Sequence, residues 1–426
     1  GWNVIKFIHD HTIYYLENHI QLLDVPGEWF YDKSSKMVYL KTENDADPTT
    51  LPGISARVLD YAFKITDSTD ITISNLKFFA STIFAAGTRD KLLTGITLDG
   101  LTFDYPSAQK RILGDVDASF PTTVANHPKK QQEAVSNIIR NCEFRYTEAS
   151  PTLDLTNPGF HISNNKFEYI DWSAVSTITA SKMFHRSECA QRPLPGTAKG
   201  CFSPGAATLE LPAGTVKAPL VFTRNTVAHH GASNGVGVYG SGTKSTLSLN
   251  RIFGKTDLQL DGGLASIPAG SANGVVMERN WLYDSMPLRK HAAKWGARFD
   301  RGQSECSRKW GEKGQISQNV LFHTNGINAK GNGHQIVQNT VLWSGHAAID
   351  DKGTKAGSRD INLYGSEGGI GTCECTDADC KQPTCCKAGD DWTFENKMSV
   401  MAGNAMESGA GATGGLPWKI STQDVD

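Results

Sequence analysis

Short apolar strings alternate with polar residues along most of this chain, with a period of two rather than the 3.6-residue period of an amphipathic helix. The stretch GHQIVQNTVLWSGHAAIDDKG (residues 333–353) shows the pattern: Ile336-Val337 and Val341-Leu342 are separated only by Gln338-Asn339-Thr340. No dipeptide typical of a β-hairpin joins the two strings. The pattern therefore predicts very short strands that are separated by a tight corner containing Asn.

The same corner recurs at irregular intervals. Consecutive corners lie 25, 30, 39 and 20 residues apart between Asn225 and Asn339. A minimum near 20 residues with variable excess is typical of stacked coils that carry loop insertions. Asn suits such a bend because it tolerates the left-handed conformation, and we expect the stacked corner amides to form ladders. The predicted corners are Asn75, Asn141, Asn164, Asn225, Asn250, Asn280, Asn319, Asn339 and Asn396, with Gly100 as a variant.

Five segments align into columns, namely GVGVYG (235–240), DLQLDG (257–262), GARFDR (296–301), GINAKG (326–331) and HAAIDD (346–351). Successive side chains of a strand point to opposite faces, so the small and apolar columns are predicted to face a core. These are Val236, Leu258, Ala297, Ile327 and Ala347, then Val238, Leu260, Phe299, Ala329 and Ile349. The columns predicted to face outward are Gly237, Gln259, Arg298, Asn328 and Ala348, then Tyr239, Asp261, Asp300, Lys330 and Asp350.

These patterns predict an all-β chain whose residues 51–426 form a right-handed parallel β-helix, or solenoid. A β-sandwich would need regular hairpin turns, and few are present. Residues 1–50 differ, because Glu28–Tyr31 and Met37–Lys41 read as two strands around a polar turn. We expect this lead-in segment to cap the solenoid, which would otherwise expose its core and an unpaired sheet edge.

Composition excludes several classes of partner and cofactor. The 426 residues include 42 basic and 44 acidic side chains, so no basic surface for nucleic acid is indicated. No stretch approaches 18 consecutive apolar residues, and no membrane span is expected. We expect no cofactor. The acidic triplets at 115–117 (DVD) and 377–379 (DAD) are a secondary hypothesis for calcium, since neither has the Gly and terminal Glu of an EF-hand loop.

Nine cysteines point to an oxidising compartment. Five lie in a Cys-rich insertion at about 365–390, with CxC and CC spacings in place of the paired CxxC that zinc prefers. A disulfide-stapled insertion fits better than zinc and predicts a secreted, extracellular protein. The odd count leaves one thiol unpaired or pairs it with another chain. The disulfide candidates are Cys373, Cys375, Cys380, Cys385, Cys386, Cys189, Cys201 and Cys306.

One segment carries a family resemblance. YYLENHIQLLDVPGEWFYDKSSKMVYLKT (14–42) resembles the lead-in of right-handed β-helix proteins of the pectate-lyase-like and glycoside-hydrolase-related group, and DITISNLKFFAST, LQLDGG and GARFDRG are similar to later parts of that group. The resemblance covers most of the chain, although its motifs are mainly structural. It implies an extracellular carbohydrate context rather than a particular reaction, and the Cys-rich insertion departs from it.

The outward columns supply the candidate chemistry. If Asp261 and Asp300 occupy adjacent coils, their carboxylates would lie about 5 Å apart, close to the separation in retaining glycosidases. Such crowding would raise the pKa of one carboxyl and place an acid beside a base. Lys330 is the third candidate catalytic residue, since it or Arg298 could instead abstract a proton next to a uronate carboxylate. The structural alternative is that these charges only form salt bridges across coils.

Further residues are candidates for holding a polysaccharide. Arg298 suits an anionic sugar, and Trp295, just before the Asp300 strand, is the best placed of the tryptophans Trp172, Trp281, Trp295 and Trp343 to line a groove for sugar rings. The full predicted substrate-binding set is Gln259, Arg298, Trp295, Asn328 and Asp350.

Two function classes therefore stay open. The chain binds or cleaves extracellular polysaccharide as a hydrolase or lyase, or it is a non-catalytic structural subunit of an extracellular wall, matrix or filament. The first predicts a glycan partner, and the second predicts self-assembly or assembly with other extracellular subunits.

The cysteine pattern gives a direct test of compartment. At least one disulfide is expected within residues 373–386, because that spacing suits a staple in an oxidising compartment. Peptide mapping of freshly isolated protein without reduction should find it. Free thiols throughout this segment, or zinc bound to them, would contradict both the staple and the extracellular assignment.

Overall fold

The fold is seen in a computed structural model, which describes residues 19–55, 57, 59, 61–87, 93–106, 111–112, 115–116, 122–125, 137–147, 153–156, 159–170, 174–176, 219–231, 235–237, 245–254, 261–268, 274–285, 293–300, 313–330, 333–344, 348–349, 355–356, 361–364, 399–408 and 418–420. The chain divides into two compact units, with the division between Val58 and Leu59.

The first unit contains the predicted hairpin. Trp29–Asp32 pairs antiparallel with Met37–Leu40. The Asp32 carboxylate closes the turn by accepting hydrogen bonds from Ser34 and Ser35, and these bonds lower the pKa of Asp32 to about 2. The role of the hairpin as a cap stays a prediction. Three short 3-10 helices complete the described part of this unit: Ile20–Leu22, Glu43–Asp45 and Pro48–Thr50.

Two parallel sheets of ten strands each run through the second unit. The first sheet consists, in order, of Thr72–Ser74, Thr97–Asp99, Asn137–Arg140, Phe160–Ser163, Val221–Thr223, Thr246–Ser248, Val276–Glu278, Gln315–Ser317, Gln335–Val337 and Val400–Ala402. The second sheet consists of Lys77–Phe79, Thr102–Asp104, Glu143–Thr147, Lys166–Ile170, Thr226–His230, Arg251–Phe253, Trp281–Tyr283, Val320–Phe322, Thr340–Ser344 and Ala405–Ser408.

A third parallel sheet comes in two parts. Its five-stranded part consists of Tyr61–Thr66, Thr82–Ala86, Thr122–Ala125, Leu153–Thr156 and Val175–Ser176. Its six-stranded part consists of Val236–Gly237, Asp261–Pro268, Ala293–Asp300, Ile327–Lys330, Ile361–Tyr364 and Trp418–Ile420. The Ala174 N–H donates to the Gly235 carbonyl at 2.8 Å and so links the two parts. Two small antiparallel pairs lie outside these sheets, Arg111–Ile112 with Asp115–Val116 and Ala348–Ile349 with Lys355–Ala356.

Strands that neighbour each other in a sheet belong to successive coils, so the chain is a parallel β-helix, as the repeat predicted. Val236, Phe299 and Ile327, three of the residues predicted to face inward, are fully buried in one hydrophobic core. Leu258 lies outside the described residues. Ile349 does not belong to the predicted column, because the strand that follows Ile327–Lys330 in the sheet is Ile361–Tyr364.

The core is built from aligned side chains. Phe78, Phe103, Phe144 and Phe167 occupy the central inward position of four successive coils, and their ring centroids stack 4.7–5.0 Å apart. A coil of this size cannot enclose a core alone, so each Phe loses its contact with water only through the coils above and below it. This mutual burial makes the solenoid cooperative along its axis.

A ladder of buried amides connects the corners between the first and second sheets. The Oδ1 atom of each ladder Asn accepts the backbone N–H of the corner residue in the preceding coil at 2.8–3.0 Å, and its Nδ2 donates to a carbonyl of that coil. Corner backbone groups that cannot join a strand ladder are thereby satisfied. The members are Asn165, Asn225, Asn250, Asn280, Asn319, Asn339 and Asn404.

The corner differs from the prediction by one residue in its first coils. Asn75, Asn141 and Asn164 adopt the left-handed conformation, with φ of 54–56°. The residue after each of them occupies the ladder position, and only Asn165 among those three successors is an Asn. Later coils place Arg, Leu, Gln or Gly at the left-handed position and Asn in the ladder. Asn404 ends the described ladder, and the predicted corner Asn396 lies outside the described residues.

Two adjacent asparagines separate the role of the ladder from that of the turn. Asn165→Ala removes the acceptor of the buried Cys142 N–H and the donor to the Ile139 carbonyl, so we expect about 2–4 kcal/mol of destabilisation. Asn164→Gly should change stability by a few tenths of a kcal/mol at most, since Asn164 is exposed and Gly accepts its positive φ. Denaturant unfolding of both variants checks this, and equal losses would contradict the ladder.

Candidate functional site

A file of polar residues runs along the outer face of the third sheet. Arg298 lies opposite Ser266 in one neighbouring coil and opposite Asn328 in the other. Asn328 in turn lies opposite Asn362. The residues on either side of Arg298, Ala297 and Phe299, belong to the core, so the polar file belongs to the opposite face. The structure thus brings together Arg298 and Asn328, as the sequence alignment predicted.

Trp295 shares this outer face because of a local bulge. The N–H groups of Gly296 and Ala297 both donate to the Gly326 carbonyl, at 2.9 and 3.4 Å. Both residues face inward: a Cβ on Gly296 would lie only 2.5 Å from the Leu321 side chain. Because two consecutive residues, Gly296 and Ala297, face inward, the alternation shifts by one position, and Trp295 and Arg298 lie on the same outer face.

These outward residues are not open to solvent, in contrast to the prediction. Trp295, Arg298 and Asn328 are 8%, 7% and 2% exposed. Asn328 Oδ1 has no hydrogen-bond partner among the atoms that the structure describes. The alternation of the strand correctly gave the face, but it does not report what covers that face. In such a low-dielectric setting an ion pair or hydrogen bond is stronger than at an open surface.

A glycine leaves space beside this cluster. Gly263 lies opposite Trp295, and a Cβ there would stand 3.2 Å from the Trp295 carbonyl and 3.6 Å from Arg298 Cβ. A larger residue would therefore press on the Trp295 backbone and touch the base of the Arg298 side chain. We call Trp295, Arg298 and Asn328, with Ser266 and Gly263, the Arg298 site.

The predicted pair of catalytic carboxylates is wrong. Asp261 lies opposite Ala293, whereas Asp300 lies opposite Pro268. The two aspartates are thus offset by seven residues, roughly 23 Å along the strand direction. The segment DLQLDGGLASIP contains two alternating apolar strings, and the second one supplies Ala265 and Ile267 to the core. The sequence prediction paired the first string with the strand that ends at Asp300. The two carboxylates therefore do not have the separation found in retaining glycosidases.

Other predicted site residues are placed by the backbone or lie outside the description. Asp300 and Lys330 end neighbouring strands, one position beyond the Phe299–Ala329 pair. They therefore stand next to each other in the register. Gln259, Asp350 and all eight cysteines named as disulfide candidates lie outside the described residues. Cys142 is described as a free, buried thiol, and burial raises its pKa to about 11.

Several charged residues on the first and second sheets are paired with one another. On the second sheet, Arg145 forms two hydrogen bonds with Asp104 at 2.7 and 2.9 Å, and Lys166 lies 2.7 Å from Glu168. Asp104 raises the pKa of Arg145, and Glu168 raises that of Lys166. The Arg145–Asp104 pair joins two coils, the Lys166–Glu168 pair lies within one strand, and such surface pairs contribute little to stability. Among the described residues, no group of three His, Cys, Asp or Glu could hold a metal ion.

The sequence analysis did not predict an aromatic column along the coils of the second sheet that contain Tyr105 to His229. Tyr105, Tyr146, Tyr169 and His229 all have φ of 52–57°, and their rings stack 4.8–5.4 Å apart. The sequence does contain a pattern that indicates this column, because each Tyr lies two residues after a core Phe, as in Phe144-Arg145-Tyr146. The ring faces cover each other, so only the edges are open to a ligand. We regard this column as structural.

Comparisons of the chain with known protein families, curated proteins and solved structures found no match. The parallel β-helix therefore rests on the strand pairing alone, and the finer resemblance to the pectate-lyase-like group stays a prediction. No helix in the described ranges is both long and apolar enough to cross a membrane.

Proposed function

We propose that this chain is an extracellular β-helix protein that binds acidic polysaccharide at the Arg298 site. The observation that supports this best is the alignment of a guanidinium, an amide and an indole on one outer face, all nearly shielded from water. The extracellular assignment rests on the cysteine pattern of the sequence.

The three side chains divide the recognition of a uronate sugar between them. The guanidinium of Arg298 offers a planar pair of donors that matches a carboxylate. Asn328 Oδ1 is an acceptor for a sugar hydroxyl, since it has no partner in the described part of the chain. The Trp295 indole supplies an apolar wall on the same outer face. A carboxylate adds a charge-assisted hydrogen bond that a neutral sugar cannot make, so the site favours acidic units.

The same site has a candidate base for cleavage. Elimination removes the proton from the carbon next to the carboxylate that Arg298 would hold, forms a double bond to the adjacent carbon and expels the glycosidic oxygen from that carbon. Lys330, which ends the neighbouring strand two residues beyond Asn328, would accept the proton. We assign Lys330 this role within the proposal and assign no role to a carboxylate pair.

Replacing the guanidinium tests the proposed binding. Arg298→Gln should weaken binding to uronate-rich polysaccharide by about tenfold or more, because a hydrogen-bonded charge is lost. Arg145→Gln is the matched control and should bind as the wild type does, since Arg145 lies on the second sheet and is not part of the Arg298 site. Calorimetric titration with uronate-rich and neutral polymers provides the measurement.

Two further readouts keep this test decisive if Arg298→Gln proves unstable. Wild-type affinity should fall as salt rises, because an ion pair carries the recognition. Trp295→Phe, which retains an aromatic ring, should bind more weakly while remaining folded. Unchanged affinity in Arg298→Gln, or salt-independent binding of the wild type, would contradict the proposal.

A second candidate function is a non-catalytic structural subunit. It is favoured by the ladder of seven asparagines, six of them buried, which makes a rigid solenoid without any ligand. This candidate predicts that wild-type protein binds no polymer of the panel and instead forms large assemblies detectable by light scattering.

A further inference from the structure

The outer face of the second sheet changes character along the solenoid axis. In the coils of Glu143 and Lys166 it carries the ion pairs described above. From the coil of Arg251 to that of Thr340 its described outward strand positions carry a single charge, that of Arg251, and are otherwise mostly aromatic or aliphatic. At the strand ends of the two coils before that of Trp343, the Asp284 carboxylate is paired with His323, whose Nδ1 lies 3.1 Å from it. A surface of this kind complements a neutral ligand better than an acidic one.

Three exposed rings lie diagonally across this second half. Trp281, Phe322 and Trp343 are 51%, 38% and 55% exposed. Phe322 lies one coil beyond Trp281, and its ring centroid is 6.2 Å from that of Trp343 at an angle of 40°. The backbone positions of Trp281 and Trp343 are about 14 Å apart, from two coil steps and three residues along the strand. We call these three residues the aromatic diagonal.

The rings of the diagonal differ in their stacking from those of the aromatic column formed by Tyr105, Tyr146, Tyr169 and His229. Tyr146 and Tyr169 stack at an angle of 10°, so each covers a face of the other. In the diagonal, the Phe322 and Trp343 rings are tilted and widely spaced instead. Tyr169 is 50% exposed and Trp281 is 51% exposed. Tyr169 and Trp281 are thus equally exposed, and they differ in that Tyr169 is stacked in parallel between two rings, whereas Trp281 packs against Tyr283 at a tilt of 37°.

Polar side chains run beside the diagonal. Along one border, Arg279 donates to Gln318 at 2.8 Å, and Gln318 donates to Gln338 at 3.1 Å. On the sheet itself, the Arg251 guanidinium lies 5.6 Å from the Trp281 ring and donates to the Tyr283 hydroxyl at 2.7 Å. The apolar rings are therefore bordered by planar donors and acceptors, the combination that matches the carbon face and the hydroxyl rim of a sugar.

The area argues against a second copy of the chain as the occupant. Three large side chains that are each about half exposed present roughly 300 Å² of aromatic surface. A stable protein interface needs about 800 Å² per partner. The diagonal is thus too small for a lasting contact between copies, whereas an extended polymer needs only a narrow track.

We infer that the aromatic diagonal is a second polysaccharide-binding surface, and that it takes an uncharged stretch of the polymer lying across the second sheet. The inference rests on the proposed function, because it extends recognition of polysaccharide from acidic units at the Arg298 site to neutral units at a separate face. One chain with two such faces would bind a mixed polymer at two points and gain avidity from linkage.

Single substitutions in the aromatic diagonal and in the aromatic column test the inference. Trp281→Ala and Trp343→Ala should each weaken binding to a soluble neutral glucan or xylan by about two- to tenfold, since each removes one ring contact. Tyr169→Ala is the matched control, equally exposed but stacked on both faces, and should leave that affinity unchanged. Affinity electrophoresis and calorimetric titration measure the change.

The two proposals fail in different ways. Arg298→Gln should leave binding to the neutral polymer intact, and Trp281→Ala should leave binding of a short uronate oligosaccharide intact. Neutral-polymer binding that depends on Trp281 supports the aromatic diagonal even if no uronate binds. Unchanged neutral affinity in both Trp variants would overturn it, as would a wild-type dimer in sedimentation that Trp281→Ala dissociates.

Discussion

The structure depends on the satisfaction of buried backbone groups at the corners of the solenoid. At each corner the chain turns between two sheets, and its N–H groups point into the interior where water cannot reach them. A side-chain amide from the next coil supplies the missing acceptor, from Asn165 to Asn404. Because each amide serves the coil before its own, the coils are joined by hydrogen bonds that no single coil could make.

This constraint explains how the fold tolerates long and uneven insertions. Successive ladder residues are separated by as few as 20 residues, between Asn319 and Asn339, and by as many as 65, between Asn339 and Asn404. Only the corner and its flanking strands must keep their register, since these carry the amide and the core side chains. The residues between the ladder positions and the strands can therefore differ from coil to coil. The outward strand positions also differ, and one sheet carries ion pairs near Glu143 and the aromatic diagonal further along its outer face.

Sequence reasoning was accurate where the packing is periodic and wrong where two registers compete. The buried Val236, Phe299 and Ile327 were predicted from alternation alone, and so was the adjacency of Arg298 and Asn328. Two alternating strings lie between Asp257 and Pro268, and their pattern does not show which one pairs. The burial of the Arg298 site was missed for another reason: alternation gives the face of a side chain but not what lies over it.

The central claim is that corner amides hold the coils together, and native-state hydrogen exchange tests it most directly. The backbone N–H groups of Asn225, Asn250, Asn280 and Asn319 each donate to a side-chain oxygen of the following coil. The account predicts that they exchange as slowly as the N–H groups of the flanking strands, since both open only when coils separate. Exchange at the rate of exposed turns, with the strands still protected, would contradict it.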